Sequence, residues 1–85
     1  MWFLYILKCK DNTLYTGITT DLERRLNEHN TKKTGAKYTS IRRPVRIVFS
    51  KKFKDRSEAS KEEARIKKLS REEKNILINS KQNLR

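Results

Sequence analysis

The chain has one cysteine, Cys9, one proline, Pro44, one histidine, His29, and two glycines, Gly17 and Gly35. A lone cysteine excludes an internal disulfide, and without a cysteine/histidine cluster there is no ligand set for a structural zinc ion. A reducing cytoplasm suits both absences, so a cytoplasmic protein is expected. Acidic residues are also scarce: 10 Asp and Glu face 22 Lys and Arg, a formal charge of +12 on 85 residues. Such an excess points to a polyanionic partner, nucleic acid first of all. No apolar run approaches the ~20 residues that a bilayer span needs, and no small-residue cleavage site follows the first run. Gly-x-Ser-x-Gly elbows and Gly-x-x-x-x-Gly-Lys phosphate loops are missing as well, which leaves conventional nucleophilic catalysis little support. With 34% hydrophobic residues, the chain can build one small domain and no second.

What is present begins with two apolar, aromatic runs, Trp2 to Leu7 and Leu14 to Ile18, each carrying one tyrosine. Strand-favouring residues separated by Asp11, Asn12 and Thr13 read as a hairpin. A loop of Lys10, Asp11 and Asn12, with Asn12 left-handed, puts Tyr5, Tyr15 and Gly17 on one face, because side chains alternate along a strand. Gly17 then reads as a position where backbone must be approached closely. Thr20 and Glu23 form a capping-box pattern that predicts a helix from Asp21 to Asn30. Leu22 and Leu26 are its core stripe, while Asp21, Arg25 and His29 line another face. Taken alone, Arg25 reads as a solvated helix charge that Asp21 can pair, and His29 as a surface or helix-end histidine.

From Thr31 to Pro44 the chain is basic and loop-like. Lys32, Lys33, Lys37, Arg42 and Arg43 are candidate phosphate contacts, with Tyr38 placed among them to stack on a base. A third strand is expected over Val45 to Phe53, its odd positions Val45, Ile47 and Phe49 forming one apolar face. Asp55 caps a helix running to Leu69, with Ala59, Ile66 and Leu69 as its buried stripe. Glu62 and Glu63 interrupt that stripe. A carboxylate there either pairs outward with a cation or marks a functional site. Ser70 and Glu73 predict a last helix, Arg71 to Asn79, burying Ile76 and Leu77, before a polar tail from residue 81 to 85 that frays. The order is β-β-α-β-α-α. It describes a small single α/β domain of the α+β kind, a three-stranded antiparallel sheet flanked by helices, too short for a doubly wound parallel sheet.

These residues together resemble the GIY-YIG nuclease superfamily, over Phe3 to about Leu69. Phe3-Leu4-Tyr5 stands where that family has Gly-Ile-Tyr, and Tyr15-Thr16-Gly17 where it has Tyr-Ile-Gly. Arg25 occupies the family's helix arginine and Glu63 its late metal-binding glutamate, with Lys37-Tyr38-Thr39 and Arg42-Arg43-Pro44 between them. The first motif lacks its glycine and the second its isoleucine. Similarity is greatest to the small stand-alone bacterial branch, akin to the nuclease domain of the excision-repair endonuclease. On that resemblance residues 1–80 make the nuclease-like domain and residues 81–85 a basic, disordered tail.

The resemblance implies hydrolysis of phosphodiester bonds in nucleic acid, DNA by expectation, in repair or recombination. It implies a divalent ion, Mg²⁺ or Mn²⁺, on Glu63; periodicity alone leaves Glu62 and Glu63 equivalent. Arg25 would neutralise the phosphate, and Tyr15 would orient or deprotonate water with help from Tyr5 and His29. A phenol with an ordinary pKa of about 10 needs neighbouring cations before it can act as a base at neutral pH. The resemblance also leaves room for a binding module that cuts feebly, or only when a protein partner recruits it.

Overall fold

Asn12 lies in the left-handed region, φ 70°, and the hairpin closes around it. The Cys9 amide donates to the Thr13 carbonyl and the Asn12 amide to the Cys9 carbonyl, each over 2.9 Å. That turn sets the expected register: Tyr5 stands opposite Gly17 and Leu7 opposite Tyr15. The computed structural model describes residues 1–31, 39 and 41–83. Among them the chain forms β1 (Trp2–Lys8), β2 (Leu14–Thr19), α1 (Leu22–Thr31), β3 (Arg46–Phe53), α2 (Arg56–Lys67) and α3 (Arg71–Asn83). The sheet is antiparallel throughout, in the order β2-β1-β3.

Alternation along β1 divides the core into two layers. Leu4 and Ile6 pack with Val48, Phe49, Ile66 and Ile78, beneath α2 and α3. Tyr5, Leu7 and Cys9 pack with Val45, Ile47, Leu22 and Leu26, beneath α1. The third strand serves both. Its register slips between Ile6, paired with Phe49, and Leu7, paired with Ile47, so Val48 is the extra residue. The expected single face of Val45, Ile47 and Phe49 is therefore broken: Val45 and Ile47 join the tyrosine layer and Phe49 the other. A bulge of this kind is decided by packing on both sides of the sheet, which alternation in one strand cannot reveal.

The helix starts follow their caps, with one correction. Asp21, not Thr20, caps α1, its carboxylate accepting the Arg24 amide at 3.0 Å. Thr19 supports the entry by accepting the Asp21 amide at 3.1 Å. Asp55 caps α2 by accepting the Glu58 amide at 2.9 Å. Ser70 and Glu73 form a reciprocal capping box, at 3.1 and 2.9 Å. The last helix runs to Asn83, past the expected end at Asn79. Its buried residue is Ile78, with Leu77 partly covered, whereas Ile76 is 63% exposed and not part of the core. The helix meets β3 one position round from the face that the sequence suggested.

Candidate active site

Tyr5 is 2% exposed and lies across Gly17. A Cβ on Gly17 would stand 2.6 Å from the Tyr5 hydroxyl and 2.8 Å from Cζ. Only a residue without a side chain lets the phenol occupy this place. The hydroxyl is 3.0 Å from His29 Nε2, and His29 Nδ1 is 2.8 Å from Thr39 Oγ1. His29 and Thr39 are both fully buried. Arg25 also hydrogen-bonds the Tyr5 hydroxyl. A guanidinium can only donate, so the phenol oxygen accepts from Arg25 and its own proton is left for Nε2. The imidazole proton then sits on Nδ1 and is donated to Thr39. Tyr15 completes the cluster, its ring centroid 5.1 Å from that of His29 and 6.5 Å from that of Tyr5.

Burial and charge fix the protonation states. Burial pushes the Tyr5 phenol above its ordinary value, more strongly than the Arg25 hydrogen bond lowers it, and the Tyr15 and Glu63 charges add to the rise. Tyr5 therefore keeps its proton at neutral pH. Burial, with the Arg25 and Arg43 charges behind it, brings His29 down to about 4, so the imidazole is neutral. Of the two phenols, half-buried Tyr15 is the one open to solvent.

Arg25 does not pair with Asp21 but with Glu28, Nη1 to Oε1 over 2.9 Å, one turn nearer the histidine. Asp21 instead faces Arg24. Both α2 glutamates have cationic partners: Glu62 holds Arg65 at 2.6 Å and Glu63 holds Lys67 at 3.3 Å. The Glu63 charge is nevertheless felt at Tyr5, which ties α2 electrostatically to the phenol cluster. The Arg65 partner holds the Glu62 carboxyl below the usual range.

The basic segment divides. Lys32, Lys33, Lys37 and Tyr38 lie outside the described residues. Arg42 reaches back to the hairpin, its Nε 3.1 Å from Asp11. Arg43, expected among the phosphate contacts, turns inward instead. Its Nε donates to the His29 carbonyl at 2.8 Å, and its Nη2 is buried without a hydrogen-bond partner among the described residues. Next to it, Asn30 grips both backbone groups of Val45, accepting the amide at 2.8 Å and donating to the carbonyl at 3.1 Å. The segment after Thr39 is thus strapped to the end of α1, and with it the ring of His29. Sequence reasoning missed Thr39, Glu28 and Asn30. The four-residue step from Arg25 to His29 could have suggested Glu28 as a neighbour; nothing local marks Thr39.

Comparison with known proteins bears on this arrangement. Residues 1–76 match the model of the GIY-YIG catalytic domain. A UPF0213 protein of Desulfotalea psychrophila is 54% identical over 77 residues, covering 91% of this chain and 70% of that protein. The UPF0213 protein YazA of Bacillus subtilis is 47% identical over 81 residues, covering 95% and 81%. Among solved structures, the solution structure of a Bacillus halodurans UPF0213 protein superposes with a TM-score of 0.62 at 44% identity, covering 95% of this chain and 86% of that one. A second, from E. faecalis, gives 0.63 at 45% identity, covering 94% and 84%. The matched span contains the phenols, Gly17, Arg25, His29 and Glu63, and the chain belongs to the GIY-YIG catalytic-domain family, a nuclease superfamily, among its small UPF0213 members.

Proposed function

We propose that the protein is a divalent-metal-dependent endonuclease that hydrolyses phosphodiester bonds in nucleic acid, DNA in the first instance. The observation that carries this reading is the single hydrogen-bonded chain from Arg25 through Tyr5 to His29, packed on Gly17, in a member of a nuclease superfamily. Arg25 is placed to accept the charge of a phosphate once Glu28 yields it. Tyr15, at the open side of the cluster, orients the attacking water and takes its proton. Tyr5 keeps its proton and holds the guanidinium and imidazole in register, and neutral His29 receives the hydrogen bond that fixes the phenol. Arg43, Asn30 and Thr39 hold His29 from behind.

The residues suit Mg²⁺ or Mn²⁺. No three His, Cys, Asp or Glu side chains gather among the described residues, so a metal held here takes few protein ligands, as Mg²⁺ does. Glu63, acidic, partly exposed and coupled to Tyr5, is the residue that would hold it. Bound there, the ion would supply positive charge at the leaving oxygen. The test is cleavage of labelled single-stranded, duplex and branched DNA and matching RNA in Mg²⁺, Mn²⁺ and EDTA. Glu63→Ala and Arg25→Ala should each abolish metal-dependent cutting while leaving the fold intact. Cutting that persists in both variants overturns the assignment of the site. Salt-sensitive binding with no cutting in any metal overturns the enzyme and leaves a binding module. The +12 charge supports nucleic-acid binding on either outcome.

A further inference from the structure

Two clefts meet at the hairpin end of the sheet, apart from the phenols. One, of about 260 Å³, is framed by Lys8, Lys10, Asn12 and Arg46. The other, of about 180 Å³, lies under α3 and is framed by Lys8, Arg46, Asn75 and Asn79. Lys8 and Arg46 belong to both, and they are direct partners in the β1–β3 register. Like charges directly opposite in an antiparallel pair are destabilising. Nothing on the cleft walls relieves them, since no carboxylate lines either one. Asp11, in the adjoining turn, is engaged by the Thr13 hydroxyl at 2.6 Å and by Arg42 at 3.1 Å. Arg71, which donates to the Asn12 carbonyl, brings another cation to the same corner. A charge pair kept against local preference marks a place where a ligand supplies the missing counter-charge.

The clefts' size and position identify the ligand. Neither has room for a duplex; each accommodates one phosphate with part of its sugar, and the carboxamides of Asn12, Asn75 and Asn79 are suited to hydrogen-bond phosphate or sugar oxygens. Lys8 shares the β1 face of Leu4 and Ile6, opposite to Tyr5, so a ligand touching both sites must turn round the end of the sheet. A duplex, stiff over about 150 base pairs, does not make that turn, whereas a single strand does. Resting on the nucleic-acid reading above, we propose that Lys8 and Arg46 bind consecutive phosphates of a single nucleic-acid strand, at a site separate from the chemistry.

The test is fluorescence anisotropy of a labelled oligothymidylate in EDTA, where nothing is cut, with log K followed against log of salt concentration. Each phosphate contact to a single strand contributes about 0.7 to the slope, so Lys8→Gln/Arg46→Gln should flatten it by about 1.4. The charge-keeping pair Lys8→Arg/Arg46→Lys should restore the slope. The control Lys61→Gln/Lys68→Gln, which removes two exposed lysines in and just after α2, should flatten it by less than half as much. Equal flattening in both double variants means diffuse charge and overturns the site, as does no flattening in either. A duplex competing as well as the single strand overturns the ligand. If polyglutamate displaces the oligothymidylate and its own binding alone depends on Lys8 and Arg46, an acidic protein is the occupant and the proposal falls. A wild-type chain that binds no oligonucleotide removes the nucleic-acid reading itself, before any variant is compared.

Discussion

Replacing Gly17 by alanine introduces one methyl group where the phenol of Tyr5 now lies. The new Cβ would be 2.6 Å from the hydroxyl and 2.8 Å from Cζ, while ordinary contact begins near 3.4 Å, so the ring or the strand must give by about 0.8 Å. The ring has little freedom: Tyr5 is 2% exposed and its hydroxyl is tied to His29 at 3.0 Å. A shift of that size either drives the hydroxyl into the imidazole or opens the bond toward ~3.6 Å, where it ceases to be one. Overpacking of this kind costs about 1–3 kcal/mol, and a buried hydrogen bond left unmade about 1–3 more. At about 4–8 °C per kcal/mol for a domain of this size, even the lower half of that range lowers Tm by about 10–20 °C. Thermal unfolding followed by circular dichroism measures it. The same substitution in a Tyr5→Phe background, which removes the atom nearest the methyl, should cost less by about 0.5–2 kcal/mol. A Gly17→Ala protein that melts within a degree or two of the parent, with no coupling to Tyr5→Phe, would refute the close approach.

Because His29 is the chain's only histidine, its ring protons report one titration by NMR, with the folded-state midpoint expected at about 4 instead of 6.5. The unfolded chain then binds the extra proton first, so stability should fall as pH drops from about 6.5 to about 4, by up to about 3 kcal/mol, and stay level below. A midpoint near 6.5 contradicts this. Arg43→Met removes a cation that helps depress His29, so the His29 midpoint should rise, and the freed His29 carbonyl should cost about 1–3 kcal/mol in chemical denaturation. An unmoved midpoint would show that the guanidinium does not act on the ring. On α3, Ile78→Ala should cost about 2–4 kcal/mol and Ile76→Ser less than about 0.5 kcal/mol; the reverse ranking would mean that the helix packs by its other side.

Features set by neighbouring residues could be read from the chain, and those set by distant ones could not. Asn12 between two aromatic runs specified the turn, and through it which β1 residue faces Gly17. Ser70 and Glu73 announced their helix, because both partners of a capping box lie within one turn. Thr20 and Asp21 are adjacent capping residues, and only the placement of the strand before them chooses Asp21. The Val48 bulge answers to two helix layers at once, so alternation within β3 could not show it. In the candidate site, Arg25 and His29 were visible as one helix face. Their partners were less so: Thr39 reaches His29 from an aperiodic segment, and Arg43 looked like one more surface cation until its bond to the His29 carbonyl was seen. Glu63 stood out as a carboxylate in an apolar stripe, a pattern that says where a charge sits without saying what it holds.

The grip of Asn30 on Val45 has a consequence for how copies of this chain meet one another. β3 is an outer strand of the sheet, and outer strands offer unpaired backbone groups on which another chain can build. Just before β3 begins, a side-chain carboxamide already occupies both the amide and the carbonyl that an added strand would use first. Farther along, exposed Lys51 and Lys52 would set like charge against like charge in any edge-to-edge pair of identical copies. The residue that straps the histidine segment to α1 thereby also closes the head of an edge that could otherwise seed aggregation.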